Sequence, residues 1–252
     1  MKKILLTCSF YALVLFLWFL IAQTGLWPPY ILPSPQSVLS KLVLHASNGT
    51  LLLACWISLR RILIGYLVSI AAGILVGLFL GSNYYLDETI GSFLSALQTI
   101  PSICWLPLSI LWLGLSENAI VFIVIMGAFF SITTSTRCGV KSIPEIFLRA
   151  GKNMGARGWK LLREIIFPAS FPSILAGLRQ GWSFAWRALL AAELIFVNLG
   201  LGHLLMMGRE LNDMSQVIAI MIVLMFIGLF VDKFCFEKIE RQIARKWGFN
   251  GR

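Results

Sequence analysis

Six stretches of this 252-residue chain, at about 4–22, 62–80, 90–113, 119–135, 174–197 and 217–231, are apolar with few or no charges. Each is near the length of about 20 residues that a helix needs to cross the hydrocarbon core of a bilayer. Lipid offers the backbone no hydrogen bonds, so such runs are expected to be helices. Composition agrees, because 58% hydrophobic and 13% charged residues leave too little charged surface for a soluble domain of this length. The sequence predicts an all-α integral membrane protein with about six transmembrane helices.

The net charge of +10 would suit a nucleic-acid binder if it were spread over a surface, but it is not. The basic residues gather between Arg137 and Arg163 and between Lys233 and Arg252. Six spans place these segments, together with Lys2 and Lys3, on one side of the membrane. That side holds fifteen of the 21 Lys and Arg residues, the other holds Lys41, Arg60, Arg61 and Arg209, and the fifth span holds two. An excess of this kind marks the cytoplasmic face, so both termini are expected there and no nucleic-acid partner is. Locally, Arg60 and Arg61 on one side and Asp87 and Glu88 on the other run against the rule. The first run, 4–22, is read as a span and not a cleaved signal: it exceeds the usual h-region of about 7–15 residues, and no small-x-small site follows. The five cysteines and the solitary His45 and His203 have no metal-ligand spacing, so no metal site is expected.

Several spans carry internal detail. After the interfacial Trp27-Pro28-Pro29-Tyr30, Ser34 is a good N-cap and Pro35 a good first helical residue. Val38, Leu39, Leu42 and Val43 then give one apolar face, as in a helix lying in the membrane surface. In the second span Gly65, Ser69, Gly73, Gly77 and Gly81 recur every fourth residue, a small-residue face for close helix packing. The third contains Gln98, Pro101 and Pro107, which suit either a bent helix lining a pathway or a kinked packing helix. The fourth ends in the hydroxyl-rich Ser131, Thr133, Thr134, Ser135 and Thr136. The fifth carries Arg179, Arg187 and Glu193, and its Trp182 and Trp186 are spaced as packing anchors. Arg187 lies near mid-span, where a charge is expensive and usually marks function. It suits either an ion pair that orients helices or an attractor of anions. Six residues along one helix put Glu193 about 120° away from it, a poor geometry for a same-helix pair.

The loop of about 137–173 is long and ordered in pattern. Pro144-Glu145 starts a helix with Glu145 and Arg149 at i,i+4, Gly155 and Gly158 follow, and Trp159, Leu161, Leu162, Ile165 and Ile166 form an apolar face. Pro168 and Pro172 are expected to stop that pattern. The result is two short helices about a glycine turn, a platform for a soluble partner. The stretch Leu148-Arg149-Ala150-Gly151-Lys152-Asn153-Met154-Gly155, with Ile165-Ile166-Phe167-Pro168, resembles the coupling signature of ABC-importer permeases. Ala150, Gly155, Ile165 and Pro168 match that signature in spacing, whereas Arg149 replaces its usual Glu and Gly151 its usual Ala. Ile31-Leu32-Pro33-Ser34-Pro35, Ser58-Leu59-Arg60-Arg61, Ile100-Pro101-Ser102, Leu111-Trp112-Leu113-Gly114 with Glu117, Gly177-Leu178-Arg179, Ala191-Ala192-Glu193-Leu194 and Gly200-Leu201-Gly202 are similar to the sulfonate/nitrate/taurine branch of these permeases.

The resemblance implies one transmembrane permease domain over 1–252 with a core at about 56–236, of the type I ABC-importer form, in the bacterial cytoplasmic (inner) membrane. It implies a permease dimer, most simply a homodimer in membrane lipid, with cytoplasmic ATPase subunits and an extracytoplasmic solute-binding protein. Arg149, Ala150, Gly151, Gly155, Ile165 and Pro168 would couple to the ATPase, and Gln98, Arg187 and Glu193 are candidates for the translocation pathway. The chain lacks the phosphate loop G-x-x-x-x-G-K-[ST], since Ile146 stands where Gly151-Lys152 would need its first glycine. ATP and Mg are therefore expected on the partner, with no cofactor on this chain and no catalytic residue. No H-E-x-x-H or G-x-S-x-G points to a membrane enzyme. The rival reading is a membrane scaffold or exporter subunit. The expected solute is a small anion such as a sulfonate, nitrate or a taurine-like compound.

Overall fold

The computed structural model describes residues 2–196 and 198–246, leaving out the side chains of residues 2–4, 7, 8 and 243–246. Val197, the end of the fifth expected span, and 247–252, the end of the basic tail, lie outside the described residues. Every regular element among the described residues is helical. In chain order these are α1 (Lys2–Gln23), α2 (Pro35–Ser47), α3 (Thr50–Ser82), α4 (Tyr84–Gln98), α5 (Ser102–Leu113), α6 (Glu117–Lys141), α7 (Glu145–Asn153), α8 (Trp159–Ile195), α9 (Leu201–Glu210) and α10 (Met214–Gln242). Helices α3, α6, α8 and α10 are long and apolar enough to cross a membrane, and α4 with α5, bent by 100° where they meet, have the length and composition of a fifth, broken span or of a re-entrant loop. Helix α1, in the place of the first expected span, is apolar over Ser9–Gln23. The chain packs as two compact units, Met1–Ser58 with Glu193–Ile227, and Leu59–Ala192 with Gly228–Arg252.

Some elements differ from the sequence expectation. Helix α3 begins at Thr50 and not near Ile62, because nothing between them breaks a helix and Arg60 and Arg61 find a carboxylate at Glu117. The third span begins earlier too, at Tyr84, where Asn83 Oδ1 accepts the N–H groups of Tyr85 (3.2 Å) and Leu86 (3.4 Å). Its two prolines act differently. Pro101 takes extended backbone (φ −54°, ψ 136°) and sits at the break. Pro107 lies in the first turn of the α-helical part of α5, Leu106–Leu113, which follows a 3-10 turn over Ser102–Trp105. Pro168 and Pro172 do not stop the helix that carries them, since α8 runs for 37 residues through both. A π turn over Leu162–Ile166, in which Phe167 N–H reaches back to Leu162 O, widens the helix just before Pro168. The second helix of the coupling segment is therefore the first turns of the fifth span, not a separate short helix. Helix α10 likewise extends beyond the expected Val231, through a π turn at Asp232–Phe236.

In the first unit, Ser34 caps α2 as expected, its hydroxyl accepting from Ser37 N–H at 3.3 Å, and Val38 is buried. Lys41 on α2 pairs with Asp213. Burial pushes the Asp213 carboxyl up, but the hydrogen bonds from Lys41 and from Gln216 N–H outweigh it and hold it below the ordinary aspartate value.

The second unit is organised around α6. A Cβ placed on Gly65, Gly73, Gly77 or Gly81 of α3 would lie 2.7, 2.9, 2.5 and 2.7 Å from Val124, Ile132, Thr136 and Val140 respectively. The partner numbers rise together with a constant offset, so α3 and α6 run parallel in register. Ser69 belongs to the same row, its hydroxyl donating to Gly65 O at 2.8 Å. On another side of α6 the contacts run the opposite way: Gly127 meets Ala188, Gly181 meets Ile132, Gly177 meets Ser135 and Gly139 meets Ser173. Helix α8 is therefore antiparallel to α6. Without a hydrophobic effect between helices in lipid, such close approach is what makes them associate.

Gly77→Ala should destabilise the detergent-purified protein by the ~1–3 kcal/mol typical of overpacking and so lower its thermal midpoint. Gly228→Ala should not, since the nearest atom to a Cβ there is Trp186 Nε1 at 3.8 Å. Equal midpoints for the two variants, measured by fluorescence-detected unfolding, would refute the close α3–α6 contact.

Candidate functional site

Helix α7 is short, amphipathic and fixed at both ends. Pro144 precedes it, Glu145 occupies its first turn, and Arg149 pairs with Glu145 one turn on. It ends in a Schellman motif: Ala156 N–H bonds to Gly151 O (2.9 Å) and Gly155 N–H to Lys152 O (3.0 Å). The motif needs a left-handed residue, and Gly155 supplies it at φ +84°. Ala156 is buried behind the turn. Inward, Leu148 packs with Leu161, Leu162 and Phe167 on a core of Leu78, Val140, Ile143 and Ile166, so α7 is anchored on the ends of α3, α6 and α8. Outward, Ile146, Phe147, Met154 and Trp159 are exposed at 71, 56, 85 and 72%.

Gly151, at the position the coupling signature gives to Ala, explains itself here. A Cβ on it would fall 1.9 Å from Ile165 Cδ1 and 3.2 Å from Leu161 Cδ1. Arg149 is exposed and held by Glu145 on its own helix. Of the six residues expected to couple, Gly151 and Ile165 meet directly, Gly155 makes the turn, Pro168 lies in α8, and Arg149 and Ala150 are exposed.

Behind this segment, Asp87 in a π turn of α4 is 4% exposed and faces two cations of α6, Arg137 at 2.9 Å and Lys141. At the opposite end of α6, Arg61, 1% exposed, and Arg60 both pair with Glu117.

A cavity of about 230 Å³ lies at the elbow between α4 and α5. Gln98, Pro101 and Ser102 form one wall, Gly127, Phe130 and Ser131 of α6 a second, and Phe184 and Arg187 of α8 a third. Gln98 and Arg187, two of the three pathway candidates, are thus brought together. Thr134 donates to Gln98 Oε1 at 2.8 Å. Arg187 donates to Ser183 O (3.2 Å) and Ser183 Oγ (3.1 Å) and lies 4.8 Å over the Phe184 ring. Phe184 and Arg187 also line a larger groove of about 780 Å³ between α8 and α10. Trp182 and Trp186 stand along that groove, with Trp182 edge-on to Tyr66 at 5.2 Å.

Glu193, the third candidate, is fully buried in other surroundings. Ser58 Oγ is 2.8 Å from both of its oxygens, and Gly202 N–H donates to Oε2 at 2.9 Å. Leu201 N–H donates in turn to Ser58 Oγ at 2.9 Å. A carboxylate thus sits at the N-terminus of α9, where the free N–H groups and helix dipole favour negative charge. A Cβ on Gly200 would fall 2.6 Å from the Glu193 carboxyl carbon, so the clasp needs a glycine there.

Sequence reasoning missed Ser131 and Thr134 as individuals, because a run of hydroxyls does not say which face each one takes. It also missed the Asp87 cluster, whose partners are more than one span away. Among the described residues no His, Cys, Asp and Glu group could hold a metal ion.

Long apolar helices packed through glycine, with a short amphipathic helix anchored on their ends, are the architecture of a multi-span membrane protein. The chain belongs to the family of binding-protein-dependent transport system inner membrane components, whose family model matches residues 69–235. It is therefore a permease component of the ABC-importer class. It is 37% identical to a putative ABC transporter permease of Methanocaldococcus jannaschii over 92% of this chain and 88% of that one. It is 29% identical to the taurine transport system permease protein of Escherichia coli, over 92% and 86% of the two chains. In fold it is similar to the inward-facing MetNI methionine ABC transporter, with a TM-score of 0.69 at 17% identity over 77% of this chain and 96% of that one.

If Gly151 is there to admit Ile165, Gly151→Ala should lower both stability and transport, and Ile165→Val, which removes the clashing Cδ1, should restore them in the double variant. Simple addition of the two single effects in a double-mutant cycle would show the contact to be unimportant.

Proposed function

We propose that this permease carries a small sulfonate-type anion into the cytoplasm, driven by ATP hydrolysed on separate subunits that seat on α7 and the turn after it. The observation that carries the reading is the exposure of Ile146, Phe147, Met154 and Trp159 on an element fixed to the ends of three helices. Large apolar side chains grouped on an ordered surface mark a protein interaction site. A rigid α7 would pass movement of the ATPase pair directly to α3, α6 and α8, a rigid-body transmission between packed states.

The excess of Lys and Arg supports a cytoplasmic location for both termini and the coupling segment of a multi-pass chain in the cytoplasmic membrane. A solute-binding protein would deliver the solute at the opposite face. ATP and Mg would be held by the partner ATPase. The whole chain, 1–252, would act as one permease domain in lipid, paired with a second copy of itself. The taurine permease of Escherichia coli motivates the solute class, a sulfonate. Gln98 and Arg187 are assigned to the pathway; Glu193, fully engaged as the cap of α9, is assigned a structural role instead.

Purification in mild detergent from the native membrane should recover an ATPase in stoichiometric amount. Gly155→Val forces a β-branched residue to φ +84° and should uncouple or release that ATPase while the permease stays folded. Recovery of the chain alone from cells that contain the ATPase would favour a scaffold over an importer. Arg187→Ala should abolish uptake with the assembled complex intact, and normal uptake by it would remove Arg187 from the pathway.

A further inference from the structure

We propose that the half-open cavity at the α4–α5 elbow, bordered by the exposed Arg187, is an oxyanion-binding site, taking the sulfonate head of the solute between Arg187, Ser131 and Gln98. It rests on the importer reading and locates a solute site within this chain itself. Four observations carry it.

The first is charge. Of the residues lining the cavity Arg187 is the only ionisable one, and no carboxylate is among them. Two of the five N–H groups of its guanidinium are committed to Ser183, which fixes the group while leaving donors for a ligand. The second is the Ser131 hydroxyl, 1% exposed and without a hydrogen-bond partner. Its neighbours on α6 do what buried hydroxyls in helices usually do: Thr133 donates to Phe129 O (2.8 Å) and Thr136 to Ile132 O (2.7 Å). Ser131 does not, and it lies in the cavity wall. A buried hydroxyl without a partner is unfavourable, so a ligand that accepts from it relieves that cost.

The third is the orientation of Gln98. Its carbonyl oxygen accepts from Thr134 at 2.8 Å, so its NH₂ is the half left for the cavity. Guanidinium, hydroxyl and amide thus present donors, which suits a group that only accepts. A sulfonate offers three such oxygens and one negative charge. The fourth is size and access. The volume of about 230 Å³ exceeds the ~30 Å³ share of one water many times over, room for a small organic anion. Phe130, Met126 and Ile100 give an apolar wall for its carbon body. Phe184 and Arg187 also line the larger groove, so they form the partition across which a solute would leave.

The geometry depends on Gly127. A Cβ there would meet Ala188 Cβ at 2.7 Å, so glycine lets α6 and α8 approach and brings Ser131 and Arg187 to one cavity.

The test is isothermal titration calorimetry of the purified full-length chain in detergent, with ethanesulfonate as probe and tetramethylammonium as cationic counter-probe. Wild type should bind ethanesulfonate saturably and tetramethylammonium not at all. Arg187→Gln should weaken ethanesulfonate at least tenfold, Ser131→Ala about threefold to tenfold, and the distant Arg241→Gln not at all. Ser131→Ala is isosteric enough to keep the fold, and size-exclusion profiles confirm it. Absence of binding by wild type, preference for the cation, or undiminished binding in both Arg187→Gln and Ser131→Ala would overturn the site. The two readings fail separately. A wild type that brings an ATPase with it from the native membrane but binds no ethanesulfonate removes the site alone, whereas ethanesulfonate binding by a wild type that recovers no ATPase from cells containing one removes the importer reading alone.

Discussion

The close approach of α6 to its neighbours is the constraint on which the rest of the Leu59–Ala192 bundle depends. In lipid, apolar side chains gain nothing by leaving their surroundings, so helices hold together through van der Waals contact at short range. Glycine provides it on two sides of α6. Gly65, Gly73, Gly77 and Gly81 of α3 meet it in parallel register, and Gly177 and Gly181 of α8, with its own Gly127 and Gly139, close the antiparallel side. Two features follow from it. The core under α7 is built from the ends of α3, α6 and α8. The elbow cavity exists because α6 and α8 touch at Gly127 while α4 turns away at Pro101.

The coupling segment shows how a departure from a family pattern can be read physically. Gly151 removes a methyl that the usual Ala would carry, and Ile165 fills the space with its Cδ1. The contact between helix and π turn is therefore kept with the bulk moved from one partner to the other. Arg149, in place of the usual Glu, has a local partner in Glu145 at i,i+4, an exposed pair of the kind worth only a few tenths of a kcal/mol. The reversal of charge at that position changes what α7 offers a docking partner far more than it changes the stability of α7.

Much of this was legible in the sequence, and what was not has a common cause. Apolar runs near 20 residues gave the spans, and the four-residue period of small residues pointed to a packed face on α3. Ser34-Pro35 marked the start of α2 because capping is local chemistry. What failed was the reading of proline as a stop. Pro168 and Pro172 sit inside α8; a π turn ends just before Pro168, and nothing in the one-dimensional pattern announces that turn. Helix α9 escaped notice because its N-terminus is set partly by Ser58, 143 residues away, as well as by the nearby Glu193. The cavity combined residues from α4, α6 and α8, so Gln98 and Arg187 stood out by type while Ser131 did not.

The charges complete the argument, since a span tolerates an ion only when something compensates it. Arg60 and Arg61, which run against the positive-inside pattern, share Glu117; Lys41 pairs with Asp213; Asp87 is met by Arg137 and Lys141. Arg179 pairs with Asp232 at 2.6 and 2.7 Å, and Glu193 lies on the N–H groups of α9 with Ser58. Each of these groups is compensated by an opposite charge or a helix end. Among the described residues Arg187 has only the serine carbonyl and hydroxyl of its own helix and the ring of Phe184. These neutral groups orient a guanidinium without cancelling its charge. A cation held in place but left uncompensated, beside a buried hydroxyl with no partner, is matched by an anion that arrives and departs.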